Sequence, residues 1–320
     1  MHLKFDVRFD TIKPKGVLMR LKTFPGGVHP PDEKKYSASV PIVDIPIPQK
    51  VTIHLSQHIG SPSKPIVSVG DEVLTGQKIA ESTGFVSLNQ HSSISGKVTA
   101  IGNFANATGS NSMAIQITGD GLDKWIELTD EPNFIDLPLE EMKKRIGEAG
   151  ICGMGGAGFP TLVKLSPPDD KPIDTVILNG VECEPYLTSD HRLMLEKTAE
   201  IVLGMKLIMK ILGAQKGMIG IEANKPDAIA KMQEITKNEP AIEVVPLQLR
   251  YPQGAEKQLI YAATKRKVPA GGLPMAVGVV VQNVATAFAI YEAIRYQKPL
   301  VQRVITVTEI GRASCRERVF

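Results

Sequence analysis

The chain has 320 residues, of which 42% are hydrophobic and 22% are charged, and its formal net charge is +3. This is ordinary globular composition, and the length suits two domains. The small charge and an aromatic content of 5% argue against a polyanion partner or a nucleic-acid stacking platform. No apolar run of about 18 residues could span a bilayer, and the N-terminus has no apolar signal core.

Residues 1–48 are rich in proline and glycine, most densely in "FPGGVHPPDEKKYS" at Phe24 to Ser37. Proline fixes φ and lacks a donor N–H, so this stretch cannot form a regular helix. It is predicted to be an extended, ordered arm or a loop.

Residues 49–120 have a β pattern, in which apolar and polar residues alternate between Gly-Asp and Thr-Gly turns. The order V-x-x-G-D-x-V-x-x-G-Q-x-I and then S-G-x-V resembles the barrel-sandwich hybrid of lipoyl and biotinyl carrier domains. Those carriers display a lysine on a tight hairpin, whereas the corresponding stretch "FVSLNQHSSISG" has none. The resemblance therefore implies the fold without the carrier role.

Residues 138–298 alternate buried strand patterns with helix patterns. The strands are "TVILNG", "GMIGIEAN", "IEVVPLQL" and "VGVVVQN", and "HRLMLEKTAEIVLGMKLIMKILGA" predicts one long helix of about six turns. Such alternation predicts a Rossmann-like α/β domain, with a mainly parallel sheet covered on both faces. Residues 299–308, with "RVITVT", would begin a further, truncated β domain.

The tail at 309–320 ends in "IGRASCRERVF", which has no apolar period and carries three arginines. It is interpreted as cloning-adaptor read-through, with a natural basic tail as the alternative, and Cys315 is excluded from the site. The other cysteines, Cys152 and Cys183, form no C-x-x-C pair, so no iron–sulfur or zinc ligand set is expected.

The glycine-rich stretch "GICGMGGAGFPTLVK" begins at Gly150. Gly153, Gly155, Gly156 and Gly158 can expose successive N–H groups to an anion, and Lys164 can add a positive charge. A helix pattern precedes the loop instead of the strand of a dinucleotide fingerprint, and the G-K-[ST] ending of a P-loop is absent. The residues alone leave two interpretations open, a phosphate site and a close-packed glycine turn.

Polar residues also follow the predicted strand "TVILNG". Asn179, Glu182 and Glu184 lie where ligands bind in open α/β sheets, at the carboxyl end of a strand. The alternative is that Glu182 caps the next helix and Glu184 is solvated. Asp190 and His191 are interpreted as the start of that helix.

Two more strand ends carry polar groups. "LRYPQGAEKQLI" turns into a helix at about Ala255 beside Glu256, and "GVVVQNVATAF" places Asn283 and Thr286 at a helix start. Four loops of this kind predict a shared cofactor site.

Seven motifs in order resemble the RnfC family, the C subunits of the Rnf complex, which is the ion-translocating ferredoxin:NAD oxidoreductase. They are "GGVHPP", "GMGGAGFPT-x-x-K", "NGVECEPYLT-x-D", "IGIEANKP-x-A", "YPQGAEKQLI", "GGLP" and "GVVVQNVATA", and they span about Phe24 to Thr308. The resemblance implies a peripheral subunit on the cytoplasmic face of the membrane that binds FMN and NAD(H). Its partners would be the other subunits and, indirectly, ferredoxin. The family's two [4Fe-4S] clusters have no ligands in this chain.

The later part also resembles the flavin-bearing, NADH-oxidising subunit of respiratory complex I. That resemblance implies cofactor contacts at Gly153, Gly155, Phe159, Lys164, Asn179, Glu184, Tyr251, Gly254, Glu256, Asn283 and Thr286. The predicted cofactor site also includes Gly156, Gly158 and Glu182, which the loop and strand-end patterns indicate. The chain departs from that family at Met154, Val181 and Ala255, where complex I has arginine, aspartate and glutamate.

The implied reaction is hydride exchange between NADH and flavin, followed by single-electron transfer to iron–sulfur carriers. It needs no side-chain acid or base, so no catalytic residue is predicted. Phe159 and Glu184 would orient the nicotinamide nucleotide, and the loop amides and Lys164 would hold the flavin phosphate. The alternatives are a flavin-dependent cobalamin reductase and a non-catalytic docking subunit with a degenerate site.

Overall fold

The structure is a computed structural model that describes residues 11–12, 19–156, 158–309 and 312–317. In chain order, its strands are β1 Thr11–Ile12, β2 Met19–Arg20, β3 Lys50–His54, β4 Lys64–Pro65, β5 Glu72–Val73, β6 Lys78–Glu81, β7 Gln90–His91, β8 Gly96–Ala105, β9 Asn111–Gly119, β10 Thr175–Gly180, β11 Lys216–Glu222, β12 Ile242–Leu247, β13 Val279–Asn283, β14 Val304–Glu309 and β15 Arg312–Glu317. The α-helices are α1 Leu139–Glu148, α2 Thr161–Lys164, α3 Ser189–Glu196, α4 Thr198–Leu212, α5 Pro226–Ile235, α6 Glu256–Thr264 and α7 Val284–Tyr296. Short 3-10 helices cover Lys34–Tyr36, Phe134–Asp136 and Pro274–Val277.

Strands β10 to β13 form a four-stranded parallel sheet in the order β12-β11-β10-β13. Successive side chains of a strand point to opposite faces, so alternate residues of one strand enter different cores. Val176 and Leu178 of β10 pack in the core that contains α4 and α7, while Ile177 packs in the core that contains α6. The prediction of a parallel sheet covered on both faces is confirmed.

The predicted single long helix is wrong, because the structure breaks it into α3 and α4 at Lys197. Lys197 has φ −129° and ψ 36°, which is not helical backbone. The hydroxyl of Thr198 donates to the carbonyl oxygen of Met194 at 2.5 Å. Threonine hydroxyls that bond a carbonyl four residues back tend to bend helices, and the apolar spacing continues across the bend unchanged.

Residues 50–119 contain two antiparallel sheets. One has four strands in the order β3-β9-β8-β5, and the other has three in the order β4-β6-β7. The core between them includes Val51, Ile53, Ile79, Ile94 and Ile115. All five are at most 6% exposed. In an antiparallel sheet with one solvated face, the apolar residues of the alternating pattern face the core.

The described part of the arm runs along the α/β domain. Lys22 pairs with Leu247 and Val28 pairs with Tyr251 as isolated bridges, and the 3-10 helix Lys34–Tyr36 follows. The predicted extended, ordered arm at 1–48 stays a prediction, and its residues 1–10 and 13–18 lie outside the described residues.

At the other end, β14 and β15 form an antiparallel hairpin that contains Cys315. The foreign origin of 309–320 and the start of a truncated domain at 299–308 stay predictions. Among the described residues, no helix has both the length and the apolar character needed to cross a bilayer.

Candidate functional site

The glycine loop is closed at its base by backbone pairing. Gly153 N–H donates to the carbonyl oxygen of Phe159 at 2.8 Å, and Cys152 and Pro160 form an antiparallel bridge beside it. Phe159 is half-buried at the end of this closed loop. As the sequence indicated, the segment that precedes the loop is a helix, α1.

Within the loop, two glycines use backbone that other residues rarely adopt. Gly155 has φ +74° and Gly158 has φ +65°. A Cβ on Gly155 would lie 2.8 Å from Nδ2 of Asn283, so only glycine fits against that side chain. A Cβ on Gly156 would meet open space, whereas Ala157 lies outside the described residues. The loop therefore presents bare backbone outward at Gly156.

Lys164 connects the glycine loop to the end of the parallel sheet. The four-residue helix α2 carries its ammonium, which donates to Oε1 of Glu256 at 2.8 Å and to the carbonyl oxygen of Val281 at 2.7 Å. Glu256 is the first residue of α6, and Val281 lies in β13. A positive charge thus lies where three of the predicted segments meet.

Asn179 and Asn283 lie opposite each other in adjacent parallel strands. The side-chain nitrogen Nδ2 of Asn283 is 3.4 Å from the carbonyl oxygen of Asn179. The side-chain nitrogen Nδ2 of Asn179 donates to the carbonyl oxygen of Gly254 at 2.9 Å. Oδ1 of Asn283 also accepts the N–H of Ala285 at 2.7 Å, which caps α7. These amides join the ends of β10 and β13 to the turn before α6.

Thr286 and Tyr251 take different positions around the same strand ends. Oγ1 of Thr286, which is fully buried, accepts the N–H of Met154 at 3.0 Å, so the first turn of α7 holds the glycine loop. Tyr251 is 39% exposed, and its backbone exchanges two hydrogen bonds of 2.8 Å with Val28 of the arm.

The two acids after β10 behave differently. Glu182 turns back onto α3, where its carboxylate accepts the N–H groups of Asp190 at 3.0 Å and His191 at 3.3 Å. This is the capping arrangement that the sequence offered as the alternative. Glu184 is exposed. Contact of either side chain with a cofactor stays a prediction.

The predicted loops meet at one edge of the sheet. Hydrogen bonds link Lys164 to Glu256, Asn179 to Gly254, and Met154 to Thr286. This agrees with the placement of ligand sites at the carboxyl ends of parallel strands.

Sequence reasoning missed Asp190 as a site neighbour. Its Oδ2 accepts a hydrogen bond of 2.7 Å from Nδ2 of Asn283. The pKa of Asp190 is raised to about 7, mainly because its carboxyl group is buried and to a smaller extent because Glu182 is negatively charged. The local sequence pattern indicated only that Asp190 lies at the start of a helix. It could not indicate the contact with Asn283, because the two residues are 93 positions apart.

A buried charged group next to the site was also missed. Lys34 is 5% exposed, and Glu222 and Lys225 are fully buried, with Nζ of Lys225 at 3.6 Å from Oε2 of Glu222. Burial raises the pKa of Glu222 to about 7, and burial together with the charge of Lys225 lowers the pKa of Lys34. The available signal was "EANK", a Glu–Lys pair at the end of an apolar strand.

Cys183 lies in the same turn as Glu182 and Glu184. Its sulfur is 3.4 Å from the backbone nitrogen of Gly254, and burial raises the pKa of its thiol. A raised pKa disfavours the reactive thiolate, so the residue acts here as a packing partner.

Comparisons with known proteins define the class. Residues 22–122 match the RnfC barrel sandwich hybrid domain, and residues 146–292 match the Nuo51 FMN-binding domain. The predicted fold class, a barrel-sandwich hybrid followed by a Rossmann-like α/β domain, is confirmed.

The relatives identify the chain as a homologue of the C subunits of ion-translocating ferredoxin:NAD oxidoreductase complexes. It is 52% identical over 289 residues to the C subunit of the proton-translocating ferredoxin:NAD(+) oxidoreductase complex of Clostridium ljungdahlii, covering 90% of this chain and 63% of that protein. It is 48% identical over 288 residues to the C subunit of the Na(+)-translocating complex of Acetobacterium woodii, covering 89% of this chain and 65% of that protein. The chain thus spans slightly less than two thirds of these relatives.

A more distant likeness is to a solved structure of NAD+-reducing [NiFe]-hydrogenase in the air-oxidized state. It has a TM-score of 0.49 and 23% identity, and it covers 58% of this chain and 37% of the other.

Proposed function

We propose that this chain binds FMN and NAD(H) at the edge formed by the glycine loop and the ends of β10 and β13. It would act as a peripheral, cytoplasmic-side subunit of a membrane-bound, ion-translocating ferredoxin:NAD oxidoreductase complex. The observation that carries the proposal is the convergence of bare loop backbone at Gly156, the Lys164 ammonium and the paired strand-end amides Asn179 and Asn283.

The residues present fit a flavin mononucleotide. An anion is favoured by the N-terminal end of α7, a helix of 13 residues, and by the Lys164 ammonium near the end of β13. The buried amide nitrogens of Gln253 and Gln282, each next to a predicted site residue, have no hydrogen-bond partner within the described part of the chain. Such donors require partners, and a polar ligand beside them would supply acceptors.

When bound, the flavin supplies two-electron hydride chemistry with NADH and one-electron transfer to iron–sulfur carriers. The chain supplies position and electrostatics. Lys164 and the loop amides hold the anionic end, while Asn179 and Asn283 fix the strand ends against the turn at Gly254. Phe159 and the exposed Glu184 are available to orient the nicotinamide nucleotide at the rim.

Replacing Gly156 with alanine tests the site without disturbing the fold. The added Cβ meets nothing within 4 Å in the protein, so the melting temperature should match that of the parent. If flavin lies against this backbone, the methyl group occupies its space and should weaken FMN binding by about tenfold, or about 1.4 kcal/mol. Fluorescence titration with FMN measures the affinity.

The matched control is Gly84→Ala, because a Cβ there also meets nothing within 4 Å and the residue lies in the other domain. It should leave both the melting temperature and the FMN affinity at the parent values. Equal FMN affinity for parent, G156A and G84A would place the flavin elsewhere, and a parent that binds no FMN would refute the proposal.

A further inference from the structure

Lys34 joins the N-terminal arm to the loop that carries Glu184. Lys34 is only 5% exposed, and its ammonium donates to the carbonyl oxygens of Glu184 at 3.0 Å and Leu187 at 2.5 Å. The two carbonyls are about 150 residues away from Lys34 in the sequence. A buried ammonium that donates to two backbone carbonyls constrains their position strongly, because losing either bond leaves polar groups unsatisfied.

The surrounding arm residues strengthen this attachment. The N–H of Tyr186 donates to the carbonyl oxygen of Asp32 at 2.8 Å, and the hydroxyls of Ser37 and Thr188 are 2.7 Å apart. The rings of Tyr36 and Tyr186 are stacked, with centroids 6.4 Å apart. Asp32, Lys34, Tyr36 and Ser37 of the arm therefore pack with residues 184–188 as one unit.

The loop has an intrinsic need for such support. Glu182 and Tyr186 have φ values of +52° and +68°, which non-glycine residues adopt only when their surroundings hold them there. The ammonium of Lys225 donates to the carbonyl oxygen of Val181 at 2.7 Å at the start of the loop. Lys225 thus holds the beginning of the loop, and Lys34 holds its middle and end.

We propose that Lys34 is a positioning residue for the dinucleotide: by holding the carbonyls of Glu184 and Leu187, it fixes where the Glu184 side chain stands at the rim. The proposal rests on the proposed function, since it concerns NADH at the same site. Flavin binding and dinucleotide positioning would then depend on different residues. The glycine loop and Lys164 hold the flavin, while the arm sets the geometry of the loop that faces the second nucleotide.

Lys34→Met tests this, with Lys35→Met as the matched control. Methionine keeps much of the chain length and removes the charge. Lys35 lies in the same 3-10 helix, but its ammonium is exposed and pairs only with Glu33 at 3.1 Å among the described ion pairs. In FMN-loaded protein with ferricyanide as the electron acceptor, K34M should raise the KM for NADH about tenfold, whereas K35M should leave it unchanged. Both variants should retain flavin and be reduced by dithionite as the parent is.

Two readouts distinguish positioning from general damage. Hydrogen exchange of the amides from Cys183 to Thr188 should accelerate in K34M and not in K35M, while the strand amides of β10 and β11 stay protected. Lys34→Arg, which keeps the charge, should recover part of the NADH affinity. If K34M fails to fold, Ser37→Ala removes one bond of the same unit and should show a smaller change in the same direction.

The outcomes separate the two proposals. A parent that is reduced by NADH, together with K34M matching K35M in KM and in exchange, would overturn the role of Lys34 alone. Equal loss of flavin and NADH binding in K34M would also overturn it, because the effect would not be confined to the dinucleotide. A parent that is not reduced by NADH would overturn the proposed function itself.

Discussion

Replacing Lys164 with methionine is expected to weaken FMN binding by about 100-fold. The change removes a charge-assisted donor worth about 1.5–3 kcal/mol and leaves the carboxylate of Glu256 without its cation. An uncompensated negative charge beside an anionic ligand then adds repulsion to the lost attraction. Equilibrium titration of the apoprotein with FMN, followed by flavin fluorescence, measures the change.

Lys171→Met is the control, because Lys171 is an exposed lysine in the segment that follows α2. It should bind FMN as the parent does. The double variant K164M/E256Q should recover part of the lost affinity, since it removes the repulsion but not the missing donor. Parent-like FMN affinity in K164M would show that this ammonium does not face the cofactor.

Gly204→Ala is expected to destabilise the protein by about 3 kcal/mol or more. Helix propensity alone predicts the opposite sign, because alanine is favoured over glycine by about 1 kcal/mol in a helix interior. The steric effect is larger, since a Cβ on Gly204 would lie 1.9 Å from the carbonyl oxygen of Ala287. Helices α4 and α7 pack closely at this point, and one must move away. Urea unfolding followed by circular dichroism measures the difference.

The control is Gly102→Ala in β8, where a Cβ meets nothing within 4 Å. It should change the free energy of unfolding by no more than about 0.5 kcal/mol. A G204A variant as stable as the parent would mean that the two helices are not in backbone contact.

The parallel sheet could be predicted because its strands are short apolar runs that end in turn residues. "TVILNG" coincides with β10, from Thr175 to Gly180, and all six residues except Asn179 are buried. A strand covered on both faces gives a continuous apolar run, which local sequence shows directly. Pro226 at the start of α5 is likewise a local signal, because proline favours the first turn of a helix.

The break between α3 and α4 could not be predicted from periodicity. Apolar spacing continues through Lys197, because both helices contribute to the same core. The bend depends on backbone angles and on the hydroxyl of Thr198, and neither alters the pattern.

Parts of the candidate site were visible in sequence, and others depend on distant partners. The glycines and the strand-end asparagines could be predicted, because their positions relative to the predicted strands and helices are visible in the local sequence. Lys34 contacts Glu184 and Leu187, which are 150 and 153 positions away in the sequence. Asp190 contacts Asn283, which is 93 positions away. Only the folded chain brings a charged residue of the arm to a loop of the α/β domain.

The most direct measurement is an anaerobic titration of the FMN-loaded protein with NADH, followed by the flavin absorbance at about 450 nm. About one equivalent of NADH should remove this absorbance in the parent. Flavin that stays oxidised with excess NADH but is bleached by dithionite would contradict the account.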